Sequence, residues 1–413
     1  MNSSCAKAAT LDQQDALAHK KQEFILPEDV IYLDGNSLGP LSHKAKSRAE
    51  EVINVQWGQD LITSWNTHQW IDLPATSGAK IARLIGANAA EVVCCDSTSI
   101  NLFKVLSHCL SIQSGRNKIV SQSDNFPTDL YIAEGLSALV GQSNCELVSV
   151  AENDLMKTLD DNTAILFLTQ VNFRTGFIHD IELITQRAHE LGVLVVWDLA
   201  HSAGVIPLAL NDWDVDFAIG CGYKYLNGGP GAPAFVYANK RFHESLHQPL
   251  TGWMGHASPF DFTETYTPAL NINQFLAGTP AVVSMSIMDA ALDVFADVEI
   301  ADIRQKSLQL TDYFSERMAN SDCLKELQPI SPVDHQFRGS QLSYTHEHAY
   351  AICQALISVG VIADFRAPNI LRIGFSPLYL SFTDLDCAIG HLEKVMLDQL
   401  YLEETFQRRN AVT

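Results

Sequence analysis

The stretch VLVVWDLAHSAG, residues 193 to 204, decides the fold. Val193 to Val196 is a continuous apolar run, the mark of a strand buried on both faces of a parallel sheet, and Asp198 stands at its end. Apolar runs at about 118–122, 146–150, 164–169, 216–220 and 233–237 read as further strands. Between two of them, Asp180 to Gly192 carries Ile181, Ile184, Ala188 and Leu191 at the spacing of one buried helical face, ended by a glycine. Such alternation predicts an α/β protein with a mostly parallel sheet covered by helices and ligand groups at the strands' carboxyl ends. After about residue 285 the pattern changes to a long helix near 284–320, isolated strands, a helix at 346–359, a strand at 370–375 and a terminal helix from 383. The expected organisation is an N-terminal segment (1–45) packing on a small α+β C-terminal domain (286–413), with a large cofactor-binding domain (46–285) between them.

Asp198 is a carboxylate where burial demands a cationic partner. Downstream, GCGYKYLNGGPGAPAFV (220–236) places Tyr223 and Lys224 after an apolar run and before a glycine-rich turn. An amine among apolar neighbours gives up its proton more readily, and the neutral amine is what adds to a carbonyl. Pyridoxal phosphate answers both needs: its carbonyl takes a lysine, and its ring nitrogen becomes a pyridinium beside a carboxylate. His201 then fits as a flat lid or hydrogen-bond donor near the ring. Plainer readings exist, with Asp198 a helix cap, His201 a core histidine and Lys224 a solvent-reaching lysine. The ordered set Asp198, His201, Tyr223 and Lys224 on consecutive strand ends favours the cofactor.

Other residues leave two readings open. In DSTSIN (96–101), Thr98 and Ser99 precede an apolar helix, where hydroxyls and free amides converge on an anion or merely cap the helix. In NFPTD, Phe126 before Pro127 presents a ring that stacks on a flat ligand, and Asp129 caps a helix over Leu130 to Val140 or meets the ligand's polar edge. Thr169 ends its strand with a hydroxyl. Arg372, in the apolar run Ile370 to Phe375, either pairs with a structural acid or captures a carboxylate. Ser37 lies in the turn DGNSLG, which lies over the same site as Arg372 or is purely conformational.

Composition narrows the class. Across 413 residues, 47% hydrophobic content marks an ordinary globular chain, and a net charge of −21 disfavours nucleic acid and anionic membrane as partners. Nine cysteines without metal-ligand spacing, among them Cys94 and Cys95 in an apolar run, predict buried thiols, no metal site and a reducing cytoplasm. No apolar span is long enough to cross a bilayer, and residues 1 to 23 have no signal-like apolar core.

The strings WDLAHSAG, DWDVDFAIGCGYKYLNGGPG and TGWMGH resemble the kynureninase family of pyridoxal-phosphate enzymes, within the aspartate-aminotransferase (type I) fold superfamily. YLDGNSLGP, WIDLP, DSTSINLFK, NFPTDLY, VNFRTG and LRIGFSPLY extend the resemblance in the family's order over nearly the whole chain. It implies that Lys224 carries the cofactor, Asp198 pairs with the pyridine nitrogen and Tyr223 shuttles protons. Thr98, Ser99, Tyr223, Trp253 and Thr279 are then phosphate contacts, the last two coming from the second subunit of a homodimer. Phe126, Pro127, Thr128, Asp129, Thr169 and His201 surround the ring; Arg372, with Ser37 nearby, takes the α-carboxylate of an amino-acid substrate. The implied reaction is hydrolytic cleavage of L-kynurenine to anthranilate and alanine in tryptophan catabolism. Thr279 after Gly278, the pattern of bacterial members, favours L-kynurenine over its 3-hydroxy derivative. A cysteine desulfurase or selenocysteine lyase of the same fold is the nearest rival, weakened because no cysteine occupies a loop between Cys323 and the helical Cys353. A catalytically silent ligand-sensing protein is the other.

Overall fold

The structure is a computed structural model describing residues 3–409. A short strand β1 (Ile31–Tyr32) precedes the strands of the main sheet, β2 (Val92–Cys95), β3 (Lys118–Gln122), β4 (Glu146–Val150), β5 (Thr163–Thr169), β6 (Leu194–Asp198), β7 (Phe217–Cys221) and β8 (Ala234–Ala238). They lie in the order β2-β8-β7-β6-β5-β3-β4. From β7 to β4 each pairing is parallel, and β8 is antiparallel to both β7 and β2. The exception has a local cause: the glycine-rich turn between β7 and β8 is too short to carry a helical crossover, so the chain doubles back. Every residue of β5, β7 and β8 is buried, as the unbroken apolar runs predict, while the half-exposed β4 with Glu146 forms an edge. Cys94 and Cys95 are buried thiols, and their run is itself a strand, β2, that the sequence reading did not assign.

The helix before β6 spans Ile181–Glu190, capped by Asp180, whose side chain accepts from Leu183 N at 2.9 Å. The single long helix expected near 284–320 is two helices, Val282–Ala291 and Ile300–Ala319, separated by a 3-10 turn at Leu292–Phe295 and a break. Leu292, Val294, Phe295 and Val298 are all buried, and no single helical stripe accommodates that spacing. At the break Lys20 reaches Asp297 at 2.6 Å, tying the N-terminal segment to it.

The remaining strands are β9 (Gln328–Pro329), β10 (Gln341–Thr345), β11 (Val361–Ile362), β12 (Asp364–Arg366) and β13 (Ile370–Gly374). They form an antiparallel sheet of order β12-β13-β10-β9, with β11 instead pairing in parallel with β1. Helix Ala349–Ser358 packs on it, and helix Phe382–Leu397 packs on Ala349–Ser358 and Ile300–Ala319. The first helix, Ser3–Gln14, lies along Phe382–Leu397, and Asp12 accepts from Phe382 N (2.6 Å) and Thr383 N (3.1 Å) at that helix's start. Among the described residues no helix is long and apolar enough to cross a membrane.

Candidate active site

The carboxyl ends of β5, β6 and β7 open into a cavity of about 310 Å³. Thr169 and Asp198 end their strands there, and Tyr223 and Lys224 follow β7 on the turn toward β8. His201 enters from the loop after β6. Thr98 and Ser99 come from the first turn of helix Thr98–Ile112; Phe126, Thr128 and Asp129 come from the start of helix Pro127–Val140, with Pro127 as its first residue. The cap of helix Thr98–Ile112 is Ser97, which accepts from Ile100 N at 3.4 Å, so Thr98 and Ser99 are not spent on capping. Asp129 is no cap either: its helix begins at Pro127, and its side chain turns inward.

Burial, then the charge of Asp198, holds the carboxyl of Asp129 well above its ordinary range, so Asp129 keeps its proton and donates to Asp198. Asp198 is itself raised by burial, a rise opposed first by Lys224 and then by the N–H of Ala200, which donates to Oδ1 at 2.7 Å. Thr169 Oγ1 donates to Asp129 at 3.3 Å and to the side-chain oxygen of Asn125. Asn125 was not among the residues the sequence singled out. Its amide donates to Ser121 at 3.1 Å, fixing the oxygen toward Thr169.

Lys224 Nζ donates to His201 Nε2 at 3.1 Å. Burial and the charge of Lys224 push His201 far down, so the imidazole is neutral and able to accept, and its buried Nδ1 has no partner among the described residues. Burial raises the phenol of Tyr223, which holds its proton. Phe126 meets Phe173 edge to face at 5.2 Å between ring centres, at one wall of the cavity.

Arg372 and Ser37 do not line this cavity; they stand behind Phe173. Arg372 donates to the Phe173 carbonyl (2.9 Å), Ser37 Oγ (2.7 Å) and Asp364 Oδ2 (2.5 Å). It therefore does pair with an acid, Asp364. The turn bearing Ser37 rests on the lysine segment: Gly39 N donates to the Tyr223 carbonyl at 2.8 Å, and a Cβ on Gly39 would lie 2.5 Å from the Lys224 carbonyl. That close approach explains the glycine. Thr279 lines a second cavity of about 360 Å³ that shares Ser97 and Tyr223 with the first. Trp253 lines neither; it meets Phe260 and Phe262, with ring centres at 5.5 and 6.2 Å.

A model of the kynureninase C-terminal domain matches residues 303–392, and one of Cys/Met metabolism PLP-dependent enzymes matches 76–259. Kynureninase from Deinococcus radiodurans is 47% identical over 96% of this chain and 97% of its own length; that from Pseudomonas fluorescens is 46% identical over 98% of each. The chain belongs to the kynureninase family. Solved structures with a similar fold include the cysteine desulfurase CsdA of Escherichia coli (TM-score 0.77, 19% identical, covering 93% of this chain and 98% of that one) and a cysteine desulfurase of Thermococcus onnurineus NA1 (0.78, 18%, 92% and 98%). At that identity they establish the fold, type I of the pyridoxal-phosphate enzymes. As a kynureninase-family member the protein is a pyridoxal-phosphate enzyme, and its residues fit the cofactor. Asp198 is a carboxylate raised by burial despite the charge of Lys224, and a pyridinium would supply a further cation to favour its charged form. Uncommitted hydroxyls on a helix start suit a phosphate, and the unpartnered Nδ1 of His201 awaits a polar neighbour.

Proposed function

We propose that the protein hydrolyses the Cβ–Cγ bond of L-kynurenine, consuming one water and releasing anthranilate and L-alanine. The observation that carries this reading is the Asp129–Asp198 pair facing Lys224 and a neutral His201 in a chain of this family. Bound pyridoxal phosphate supplies an electron sink for carbanion chemistry. Lys224 holds its carbonyl carbon, and Asp198, oriented by Asp129 and Ala200 N, keeps its ring nitrogen charged. Thr98, Ser99 and Tyr223 serve the phosphate. Once free, the amine of Lys224 takes the substrate's α-proton on Nζ, and neutral His201 accepts a hydrogen bond from that nitrogen. Tyr223, with a phenol that keeps its proton, is the donor for a later protonation. Arg372 and Ser37 serve the α-carboxylate. Thr279 inclines the site toward L-kynurenine over its 3-hydroxy derivative.

The active unit in this reading is a cytoplasmic homodimer. Phe260 and Phe262, 57% and 74% exposed beside Trp253, form an apolar patch that needs cover. A partner's cavity rim provides it, and brings Trp253 to the partner's cofactor. Thr279 lines the same cavity as Tyr223 of its own chain, so the need for a partner rests on Trp253. A desulfurase reading lacks a mobile-loop acceptor: Cys353 is buried in a helix, the exposed Cys387 lies in helix Phe382–Leu397, Cys323 contacts Ser321 at 3.3 Å, and Cys221, though it lines the cavity, is buried at the end of β7. The test is direct. The purified yellow protein should release fluorescent anthranilate from L-kynurenine, and borohydride should fix the cofactor on Lys224. No anthranilate, or a label on Lys104 or Lys240, overturns the reading.

A further inference from the structure

Arg372 is deeply placed and heavily committed. It is 1% exposed, with its two Nη atoms spent on Phe173, Ser37 and Asp364. A second guanidinium meets the same carboxylate. Arg366 Nη2 lies 2.7 Å from Asp364 Oδ2 and donates to Ser37 Oγ at 3.3 Å. Ser37 Oγ in turn donates to Asp364 Oδ2 at 2.7 Å, closing the knot. Asp364 and Arg366 are two residues apart on β12 and share a face, and Asp364 is in register with Arg372 on β13. Because β12 is the edge of its sheet and β13 is interior, Arg372 is enclosed while Arg366 keeps an open side. Its side chain is 36% exposed, and Nη1 has only a 3.5 Å contact with the carbonyl of Phe365.

The charges do not balance. Two guanidiniums share one carboxylate oxygen, and Arg372 Nε and Asp364 Oδ1 are buried without partners among the described residues. The next acid, Asp34, is pushed up to about 7 by burial and then by Asp364, so at neutral pH it is an incomplete counter-ion. Both arginines are felt at the cavity: each helps push His201 down, and Arg366 opposes the rise at Tyr223. The knot carries more positive than negative charge, and an amino acid brings one carboxylate.

We propose that Arg366 is a second substrate-binding arginine, whose open guanidinium edge takes the α-carboxylate in front of Arg372, and that Asp364 is the positioning residue holding both guanidiniums. This rests on the reading of the cavity as an amino-acid site. The test uses Arg366→Gln holoenzyme and two probes read through the cofactor's absorbance without turnover. L-alanine carries the amine and carboxylate; decarboxylated kynurenine carries the amine and aryl ketone and no carboxylate. The apparent Kd for L-alanine should rise about tenfold or more, with KM for L-kynurenine rising alongside, while the carboxylate-free amine shifts by less than about twofold. Arg366→Lys should recover part of the loss, and Asp364→Asn should weaken L-alanine with the same selectivity. Unchanged L-alanine affinity overturns the proposal, and so does equal loss for both probes, which would make Arg366 structural. Should Arg366→Gln fail to load cofactor, Arg366→Lys is judged by the same ratio of the two probes. Wild-type protein that leaves L-kynurenine intact would sink the proposed reaction, yet L-alanine and the carboxylate-free amine would still decide Arg366.

Discussion

In the proposed reading a protonated Asp129 beside an ionised Asp198 gives two neighbouring carboxyl groups different duties. An asparagine imitates a protonated acid in shape and in donating power. Asp129→Asn should therefore keep kcat within about fivefold, whereas Asp198→Asn should lose about a hundredfold or more while retaining cofactor. Steady-state rates with L-kynurenine, alongside cofactor content, separate the two; comparable losses would mean that Asp129 is ionised in the working enzyme. Asp198, Tyr223 and Lys224 were legible in the sequence because each follows an apolar run at a strand end, where a polar residue needs a reason. Asn125 was not legible, since a lone asparagine before Phe-Pro reads as a turn residue until β5 brings Thr169 against it. Asp364 and Arg366 escaped notice for a related cause: the cross-strand register that sets them on Arg372 is a property of folded strands.

Among elements, the turn from Asp34 to Gly39 and the segment carrying Lys224 touch backbone to backbone. Gly39→Ala should cost about 1–3 kcal/mol in unfolding and lower cofactor occupancy, because the new methyl meets the Lys224 carbonyl and Asn227. A thermal melt with cofactor titration checks this, and an unchanged melt would show that the turn yields freely. In helix Thr98–Ile112, burial pushes His108 down to about 4, below its ordinary 6.5, and His179 in the loop before Ile181–Glu190 behaves alike. A depressed histidine contributes stability that is complete above about pH 6.5 and lost as pH falls toward 4. Denaturant midpoints should fall from pH 7 to pH 5, and the double variant His108→Gln, His179→Gln should flatten that slope. Asp34, raised, acts oppositely, losing its contribution as pH rises through about 7. Strands β3 to β8 were readable from apolar runs, but β2 and the break at 296–299 were not, the latter because a run of helix-compatible residues conceals a change of buried face.

At the scale of the whole molecule, the shared-site reading is tested by mixing Lys224→Ala with Trp253→Ala under subunit exchange. A heterodimer then has one site with both defects and one intact site, so activity should return to about half per heterodimer. No recovery despite verified exchange would place Trp253 in its own chain's site. The α/β architecture was evident from sequence, whereas the pairing of β1 with β11 and the lie of Ser3–Gln14 on Phe382–Leu397 were only partly so, since contacts between distant segments leave no local period. Those distant contacts bear on how the protein is made. Residues 3–37 leave the ribosome long before their partners at 360–397. Until those residues emerge the early segment lacks the helix and strand on which it docks, and Ser37 has no Arg372 to meet. The nascent chain therefore lacks these contacts until residues 360–397 emerge, and a ribosome stalled before residue 360 would hold a chain in which the central sheet is complete but the cluster of Ser37, Asp364 and Arg372 is not.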